Sequence, residues 1–105
     1  MGKKEFVMAI GDFVKRLGLD FDIKKVILFG SRATKEYGEE SDVDLIIVSN
    51  DFNNMDFFER AAKMYDYWKL DLPVDFICYT KKEFEKLKKR ISIVKEALTN
   101  GIIIH

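Results

Sequence analysis

The chain has 105 residues, of which 48% are hydrophobic and 34% charged, with one cysteine and with eighteen basic side chains balanced by eighteen acidic ones. This size and composition fit one globular domain and exclude an intrinsically disordered chain. The net charge of zero argues against direct nucleic-acid binding, and the lone cysteine excludes an internal disulfide and a cysteine-based zinc cluster.

Nothing in the sequence has the pattern of a targeting or membrane segment. No apolar run reaches the roughly 18 residues that a membrane-spanning helix needs. We therefore expect a single domain over residues 1–105, located in the cytoplasm and without a membrane partner. A solitary cysteine, Cys78, fits a reducing compartment, and its apolar neighbours predict a small core side chain.

Charge is distributed unevenly along this neutral chain. Residues 32–44 contain two basic and five acidic side chains, a net charge of −3, whereas residues 81–90 contain six basic and two acidic ones, a net charge of +4. Such a run is usually a solvated helix face. The alternative for the basic run is a contact with an acidic partner surface or a nucleic acid.

The first half of the chain predicts a helix and then two strands separated by a turn. A helical stripe ends before Gly18, which we expect to close the helix in a left-handed cap; its members are Phe6, Ile10, Phe13, Val14 and Leu17. Residues 24–29 predict a strand covered on both faces. Ser31 is expected to cap a short helix that runs to Tyr37 and is closed by Gly38. Residues 42–48 predict the second strand.

The second half predicts a helix, a strand and a further helical region. Asn53 or Asn54 is expected to begin a helix whose aromatic residues are mostly core by their spacing: Phe57, Phe58, Tyr65, Tyr67 and Trp68. Whichever of the last three lies outside the apolar stripe is a candidate for partner contact. Pro73 precedes a strand over residues 74–79.

The C-terminal region begins with the spacing of a capping box, in which Thr80 and Glu83 stand three residues apart. Helical periodicity then continues, as one long helix or as two with a break near residues 90–92. Gly101 ends the helical pattern, and residues 102–104 can add a short edge strand. The element order predicts an α/β (α+β) fold with a small, mixed sheet of three or four strands flanked by helices.

Three acidic residues stand at strand positions where they can act together. Asp42 and Asp44 project from the same face of the second strand because strand side chains alternate. An isolated pair of this kind is more often a chance feature of an exposed strand end. Asp75, however, lies between apolar neighbours in the third strand, where we expect a buried or half-buried side chain that needs a partner.

If the second and third strands are parallel neighbours, these three carboxylates meet at one end of the sheet. Each pair then repels by about 1 kcal/mol in water and by about 4 kcal/mol at an effective dielectric constant near 20. Divalent cations bound through oxygen, Mg²⁺ above all, relieve such repulsion. Gly30 and Ser31 supply a turn after a strand, which taken alone is only a turn, but beside an acidic triad predicts a phosphate site.

The three segments LFGSR, SDVDL and VDF together resemble the nucleotidyltransferase superfamily of the DNA polymerase β type. The short length and the Gly-Ser-Arg sequence look most like the minimal nucleotidyltransferases, which are often encoded beside a HEPN-domain partner in prokaryotic toxin–antitoxin pairs. The resemblance implies a nucleotidyltransferase fold, an NTP substrate and two Mg²⁺ ions.

The resemblance also implies a role for each matching residue. Gly30 and Ser31 would hold the triphosphate, and Arg32 would contact a phosphate or pair with the acidic cluster. Asp42 and Asp44 would bind both metal ions, while Asp75 would complete one metal site and act as, or assist, the base. One position departs from the family, since many members carry a basic residue where this chain has Thr34, with Lys35 next in the sequence.

Two functions remain open at this point. The first is a Mg²⁺-dependent enzyme that transfers a nucleoside monophosphate, AMP from ATP, to a hydroxyl of a HEPN-type partner protein, as the antitoxin of a toxin–antitoxin pair. The second is a catalytically idle binding module that neutralises its partner by occlusion. Homo-oligomerisation is compatible with both.

Overall fold

The computed structural model describes residues 3–30, 42–90 and 92–105 of the chain. Its elements, in chain order, are α1 (Lys3–Leu17), β1 (Ile23–Phe29), β2 (Val43–Ser49), a 3₁₀ helix (Asn50–Asn54), α2 (Phe57–Tyr65), β3 (Val74–Tyr79), α3 (Lys81–Leu87), α4 (Ile93–Asn100) and β4 (Ile102–Ile103). This mixture of helices and strands confirms the predicted fold class. The short helix predicted to follow Ser31 lies outside the described residues.

The four strands form one mixed sheet in the order β3-β2-β1-β4. Strand β1 is antiparallel to both of its neighbours, whereas β2 and β3 run parallel and are joined by the crossover through α2. The C-terminal helical region is divided into α3 and α4, so of the two predicted alternatives the structure has two helices and not one long helix. Ser92 caps α4, because its side chain accepts a hydrogen bond from the backbone of Lys95.

Helices cover both faces of the sheet. Side chains on one face pack with α1 and α2 in a cluster that includes Phe13, Leu45 and Met64, and those on the other face pack with α3 and α4 around Ile46 and Val94. Alternation along β1 and β2 supplies apolar residues to both layers. The two-sided covering predicted for the first strand is therefore confirmed. None of the helices in the described residues is long and apolar enough to cross a membrane.

Two predicted helix ends differ from the observed ones. Helix α1 does end at Leu17, but Gly18 is not left-handed, since Gly30 is the one residue of the described chain with a positive φ. Helix α2 begins after Asp56, whose side chain accepts a hydrogen bond from the backbone of Glu59, and not at Asn53 or Asn54. Those two asparagines belong to the 3₁₀ helix, which Ser49 caps directly at the end of β2.

The prediction that the aromatic residues around α2 are mostly core was wrong for three of the five. Phe57, Phe58 and Tyr65 are exposed, whereas Tyr67 and Trp68 pack against the core. The cause is the length of the helix: α2 has nine residues and ends at Tyr65, so Tyr67 and Trp68 leave the helical register and fold back toward the sheet. Tyr65 is thus the residue that lies outside the apolar stripe.

Strand β3 forms one edge of the sheet, and side chains of α2 cover part of that edge. Val43 donates its N–H to the carbonyl of Pro73, so alternation turns the carbonyls of Val74 and Cys78 outward. The Tyr65 hydroxyl donates to the Val74 carbonyl, and Arg60 Nη1 donates to the Cys78 carbonyl at 3.1 Å. The outer edge of β3 is therefore partly satisfied within the chain.

Candidate active site

The pairing of the strands sets two of the predicted acidic residues side by side. Asp44 of β2 is the register partner of Asp75 in the parallel strand β3 and of Phe29 in the antiparallel strand β1. Neighbouring strands lie about 4.8 Å apart, so both carboxylates leave the sheet close together on the face that α3 and α4 cover. Asp42 lies one residue before β2 and two residues before Asp44, the spacing at which side chains of an extended segment project from the same face.

The carboxylates lie just beyond the part of this face that the helices bury. The side chains of Ile46 and Val48, next along β2 on the same face, are buried against α3 and α4. Asp44 is half-buried, whereas Asp42 and Asp75 are exposed. The expectation of a buried or half-buried Asp75 was therefore wrong, because β3 is an edge strand and its first residues extend past the helices.

The surroundings of Asp44, the middle one of the three carboxylates, disfavour its charged form. Burial, and then the charges of Asp75 and Asp42, raise the pKa of Asp44 above its ordinary value. Among the described residues, no lysine, arginine or histidine forms an ion pair with any of these three aspartates. The chain thus holds like charges together without supplying a basic partner from its described part.

Glycine is required at position 30 for two independent reasons. Its φ of 79° lies in the left-handed region that other residues rarely adopt. A Cβ built there would also lie well under 3.0 Å from Asp44 Oδ2, which no real contact tolerates. The backbone at the end of β1 therefore packs directly against the acidic cluster. Ser31 and Arg32, the other predicted phosphate ligands, lie outside the described residues.

The donor set fits a hard divalent cation in its chemistry. Three aspartates provide carboxylate oxygens, the ligands that Mg²⁺ prefers, and a cation would relieve the repulsion that adds to burial in raising the pKa of Asp44. Within residues 3–30, 42–90 and 92–105, however, no three carboxylate, histidine or cysteine side chains converge closely enough to hold a metal ion. Metal binding by Asp42, Asp44 and Asp75 stays a prediction.

Tyr65 was one of three predicted candidates for partner contact, and nothing in the sequence indicated that it lies beside the acidic cluster. Its hydroxyl donates to the carbonyl of Val74, the residue before Asp75, and burial and the Asp75 charge together raise the pKa of Tyr65. The helical register of α2 alone could not reveal this contact. Cys78 is buried as predicted, and burial raises its pKa to about 12, which makes it a poor nucleophile.

The family assignment follows from the chain as a whole. The family model described as "Nucleotidyltransferase domain" matches residues 7–100. The chain therefore belongs to the nucleotidyltransferase domain family, and the resemblance read from the Gly-Ser turn and the acidic residues is confirmed at this level.

Two curated relatives come from Methanocaldococcus jannaschii. "Putative protein adenylyltransferase MJ0604" is 50% identical over 44 residues, which cover 40% of this chain and 44% of the relative. "Putative protein adenylyltransferase MJ1379" is 37% identical over 75 residues, which cover 63% of this chain and 74% of the relative. The match spans less than half the length of the first relative and about three quarters of the second.

Two solved structures share the fold. The crystal structure of "a putative nucleotidyltransferase from Sulfolobus solfataricus" matches with a TM-score of 0.68 and 20% identity, over 96% of this chain and 80% of that one. A mutant of the toxin–antitoxin MntA-HpeT matches with a TM-score of 0.52 and 17% identity, over all of this chain and 73% of that one. At these identities the likeness concerns the fold.

Proposed function

We propose that this protein transfers AMP from ATP to a hydroxyl group of a partner protein and releases pyrophosphate. The observation that carries the proposal is the acidic cluster: Asp44 faces Asp75 across parallel strands, burial and then its acidic neighbours raise its pKa, and the backbone of Gly30 packs against it. The family of the chain and the adenylyltransferase names of its relatives support the same reaction.

The roles of the residues follow from their positions. Asp42 and Asp44 would hold Mg²⁺, and Asp75 would complete one metal site. When bound, Mg²⁺ ions neutralise phosphate charge and stabilise the oxygens that attack and leave the phosphorus. Exposure on an edge strand leaves Asp75 open to an incoming hydroxyl, whose proton it would accept. Gly30, Ser31 and Arg32 would bind the triphosphate of ATP.

We propose further that the partner is a HEPN-type toxin and that this protein is its antitoxin in a prokaryotic cytoplasm. The support is the sequence resemblance to minimal nucleotidyltransferases, together with the shared fold of the toxin–antitoxin MntA-HpeT. Neutralisation would then proceed by adenylylation of the toxin.

The direct test is transfer to the protein encoded beside this chain. Incubation of the two purified proteins with ATP and Mg²⁺ should add one AMP to a tyrosine, serine or threonine, detected by mass spectrometry. Asp44→Asn should reduce the rate by on the order of a hundredfold or more, because it removes charge at the reacting centre. Asp12→Asn, an exposed aspartate of α1, is the matched control and should transfer normally.

One outcome would favour the idle binding module instead. If no adduct forms with any nucleotide or metal, and the double variant Asp42→Asn/Asp44→Asn still neutralises the partner in cells, occlusion is the mechanism. A thermal measurement separates the two cases without the partner. Mg²⁺ with ATP at a hundred times its dissociation constant should stabilise the active protein by about 2.7 kcal/mol, and Asp44→Asn should abolish the shift.

A further inference from the structure

A groove opens at the end of the sheet opposite to the acidic cluster. It has a volume of about 370 Å³ and lies where the start of α2, the end of β3 and α3 come together. Met55, Phe57, Tyr79 and Leu87 give it apolar walls, and Lys86 and Arg90 add basic side chains. Tyr79 is four residues beyond Asp75 on β3, so the groove lies about 13 Å along the strand from the carboxylates.

The other charged groups of the groove are already engaged. The guanidinium of Arg60 pairs with Glu83 at 2.7 Å and donates to the carbonyl of Met55 at 3.0 Å. Glu83 also accepts a hydrogen bond from the backbone of Thr80 at 2.7 Å. Asp56 caps α2 by accepting from the backbone of Glu59 at 2.9 Å. These contacts join α2 to α3. The charges of Arg60, Glu83 and Asp56 are therefore already compensated within the chain and are less available to a ligand.

Unlike these charged groups, the basic side chains of Lys86 and Arg90 have no acidic partner in the described part of the chain. Both are exposed, and within the part of the chain that the structure describes neither forms an ion pair, whereas Lys88 pairs with Glu85 at 2.5 Å. They belong to residues 81–90, which carry a net charge of +4. The groove therefore combines apolar walls with two basic groups that are available to an acidic ligand.

The surface beside the groove is unusually apolar. Phe57 is 49% exposed and Phe58 is 82% exposed, and their rings meet edge to face with centroids 5.9 Å apart. Adjacent exposed phenylalanines at the start of a helix are not required for packing. Large aromatic side chains next to a groove are typical of surfaces that bind another protein.

We propose that this groove docks an acidic segment of a protein partner. An apolar or aromatic side chain of that segment would occupy the space between Phe57 and Leu87, and its carboxylates would pair with Lys86 and Arg90. The charge of the groove favours an acidic polypeptide, and the exposed phenylalanines favour one with apolar side chains.

The orientation of α2 connects this surface to the acidic cluster, and this step rests on the proposed function. The helix begins at the groove with Phe57 and ends with Tyr65, whose hydroxyl contacts the residue before Asp75. Nine helical residues span about 13 Å. A partner held in the groove and lying along α2 would therefore bring a distant part of its surface to the carboxylates, which defines where the acceptor protein binds.

The first test is unbiased selection of peptides. A display library of random 12-residue peptides is panned on the wild-type chain after depletion on the variant Lys86→Glu/Arg90→Glu. The proposal expects enrichment of sequences that combine aspartate or glutamate with aromatic or aliphatic residues. No enrichment, or enrichment of neutral or basic sequences, overturns it.

The second test locates and quantifies binding of the most enriched peptide. Amide shifts in a titration followed by nuclear magnetic resonance should be confined to the groove and the start of α2, and shifts that map elsewhere overturn the proposal. The dissociation constant should rise about tenfold or more in Lys86→Glu/Arg90→Glu and in Phe57→Ala. The matched control, Lys82→Glu/Lys89→Glu, changes the net charge equally outside the groove and should stay within about twofold.

These measurements are made without nucleotide or metal and are repeated in Asp44→Asn, so they do not depend on transfer. If the peptide binds the groove but no AMP is transferred to the partner protein, the proposed reaction is refuted and the docking site is retained. Conversely, transfer to the partner at an unchanged rate in Lys86→Glu/Arg90→Glu would refute the docking site alone. Self-association of the wild-type chain that the same double variant abolishes would identify a second copy as the occupant and overturn the proposal.

Discussion

At its first residues β3 carries Asp75 opposite Asp44, two carboxylates without a basic partner among the described residues. At its last residues it lies beside Arg60, which is buried and bonded to Glu83 and to the carbonyls of Met55 and Cys78. At the last residues, the paired end, the buried charge of Arg60 is compensated by Glu83, and at the first residues, the unpaired end, like charges face each other.

The difference indicates which charges serve the fold and which serve a ligand. A charge that is withdrawn from water costs free energy unless hydrogen bonds and a counter-charge compensate it. Arg60 meets that condition and joins α2 to α3. Asp44 does not: burial and then the charges of Asp75 and Asp42 raise its pKa, and protonation or a bound cation would relieve that cost. Variants at the two ends should therefore change stability in opposite directions.

The largest effect on stability is expected at the paired end. Arg60→Met removes the counter-charge of Glu83 and the donor of two carbonyls. It should lower the free energy of unfolding by about 3 kcal/mol, the low end for breaking a buried pair, since the Glu83 side chain is 43% exposed. Asp44→Asn should leave stability unchanged or raise it. Urea denaturation of both variants measures this contrast, and a loss of equal size in Asp44→Asn would break it.

The next effect concerns the backbone that supports the unpaired end. Gly30→Ala places a side chain at a positive φ and against Asp44, so it should cost about 2 kcal/mol. Gly11→Ala is the matched control, because nothing lies within 4 Å of a Cβ at that position of α1. It should stabilise the protein by up to about 1 kcal/mol, since alanine favours helix. Thermal melts that show equal shifts would contradict the packing of Gly30 on Asp44.

A smaller effect is expected from the cap of α3. The Thr80 hydroxyl accepts a hydrogen bond from the backbone of Glu83, and the Glu83 carboxylate accepts one from the backbone of Thr80, which together form the predicted capping box. Thr80→Ala should cost about 1 kcal/mol, and Thr80→Ser, which keeps the hydroxyl, only a few tenths. Denaturant midpoints of the two variants check this, and identical midpoints would assign the stability of this end to Arg60 alone.

The smallest effect, a dependence on pH, distinguishes the two ends by sign. Burial acts to raise the pKa of Glu83, but hydrogen bonds from Arg60 and Thr80 and the Arg60 charge outweigh it and hold that pKa below the ordinary value of 4.5. The stability that ionised Glu83 contributes is therefore present above pH 4.5 and lost as the pH falls through its lowered pKa.

For Asp44 the sign is reversed. Burial and then its acidic neighbours raise its pKa above 3.8, so the free-energy cost of its negative charge is absent at lower pH and appears as the pH rises from that value through the raised pKa. Glu83→Gln should thus be less stable than the wild type at neutral pH, and Asp44→Asn equally or more stable, with both differences shrinking in acid. Urea midpoints from about pH 3 to pH 7 measure them. Differences of the same sign would contradict the comparison.

The order of helices and strands, the mixed sheet and the two-sided covering of β1 could be predicted because they depend on apolar periodicity along the chain. The meeting of Asp44 and Asp75 could also be predicted, since it follows from alternation and a parallel crossover. The start of α2 could not, because Ser49 caps a separate 3₁₀ turn and leaves the capping role to Asp56.

Two further features depend on tertiary position and were therefore invisible in the sequence. The exposure of Asp75 is decided by the place of β3 at the edge of the sheet, which local composition does not reveal. The burial of Arg60 depends on partners that lie far along the chain, since Glu83 is 23 residues away and Cys78 is 18 residues away. The docking groove could not be predicted from the sequence for the same reason, because its walls come from three elements.

The contacts of α2 with the outer edge of β3 also restrict how other chains can associate with this one. An open edge strand is a template on which a foreign strand can extend the sheet, and it is a common origin of aggregation. Here Tyr65 and Arg60 occupy two outward carbonyls of β3, and the strand at the other edge, β4, has two residues. Sheet extension at β3 would require displacing these donors, so recognition should proceed through side chains.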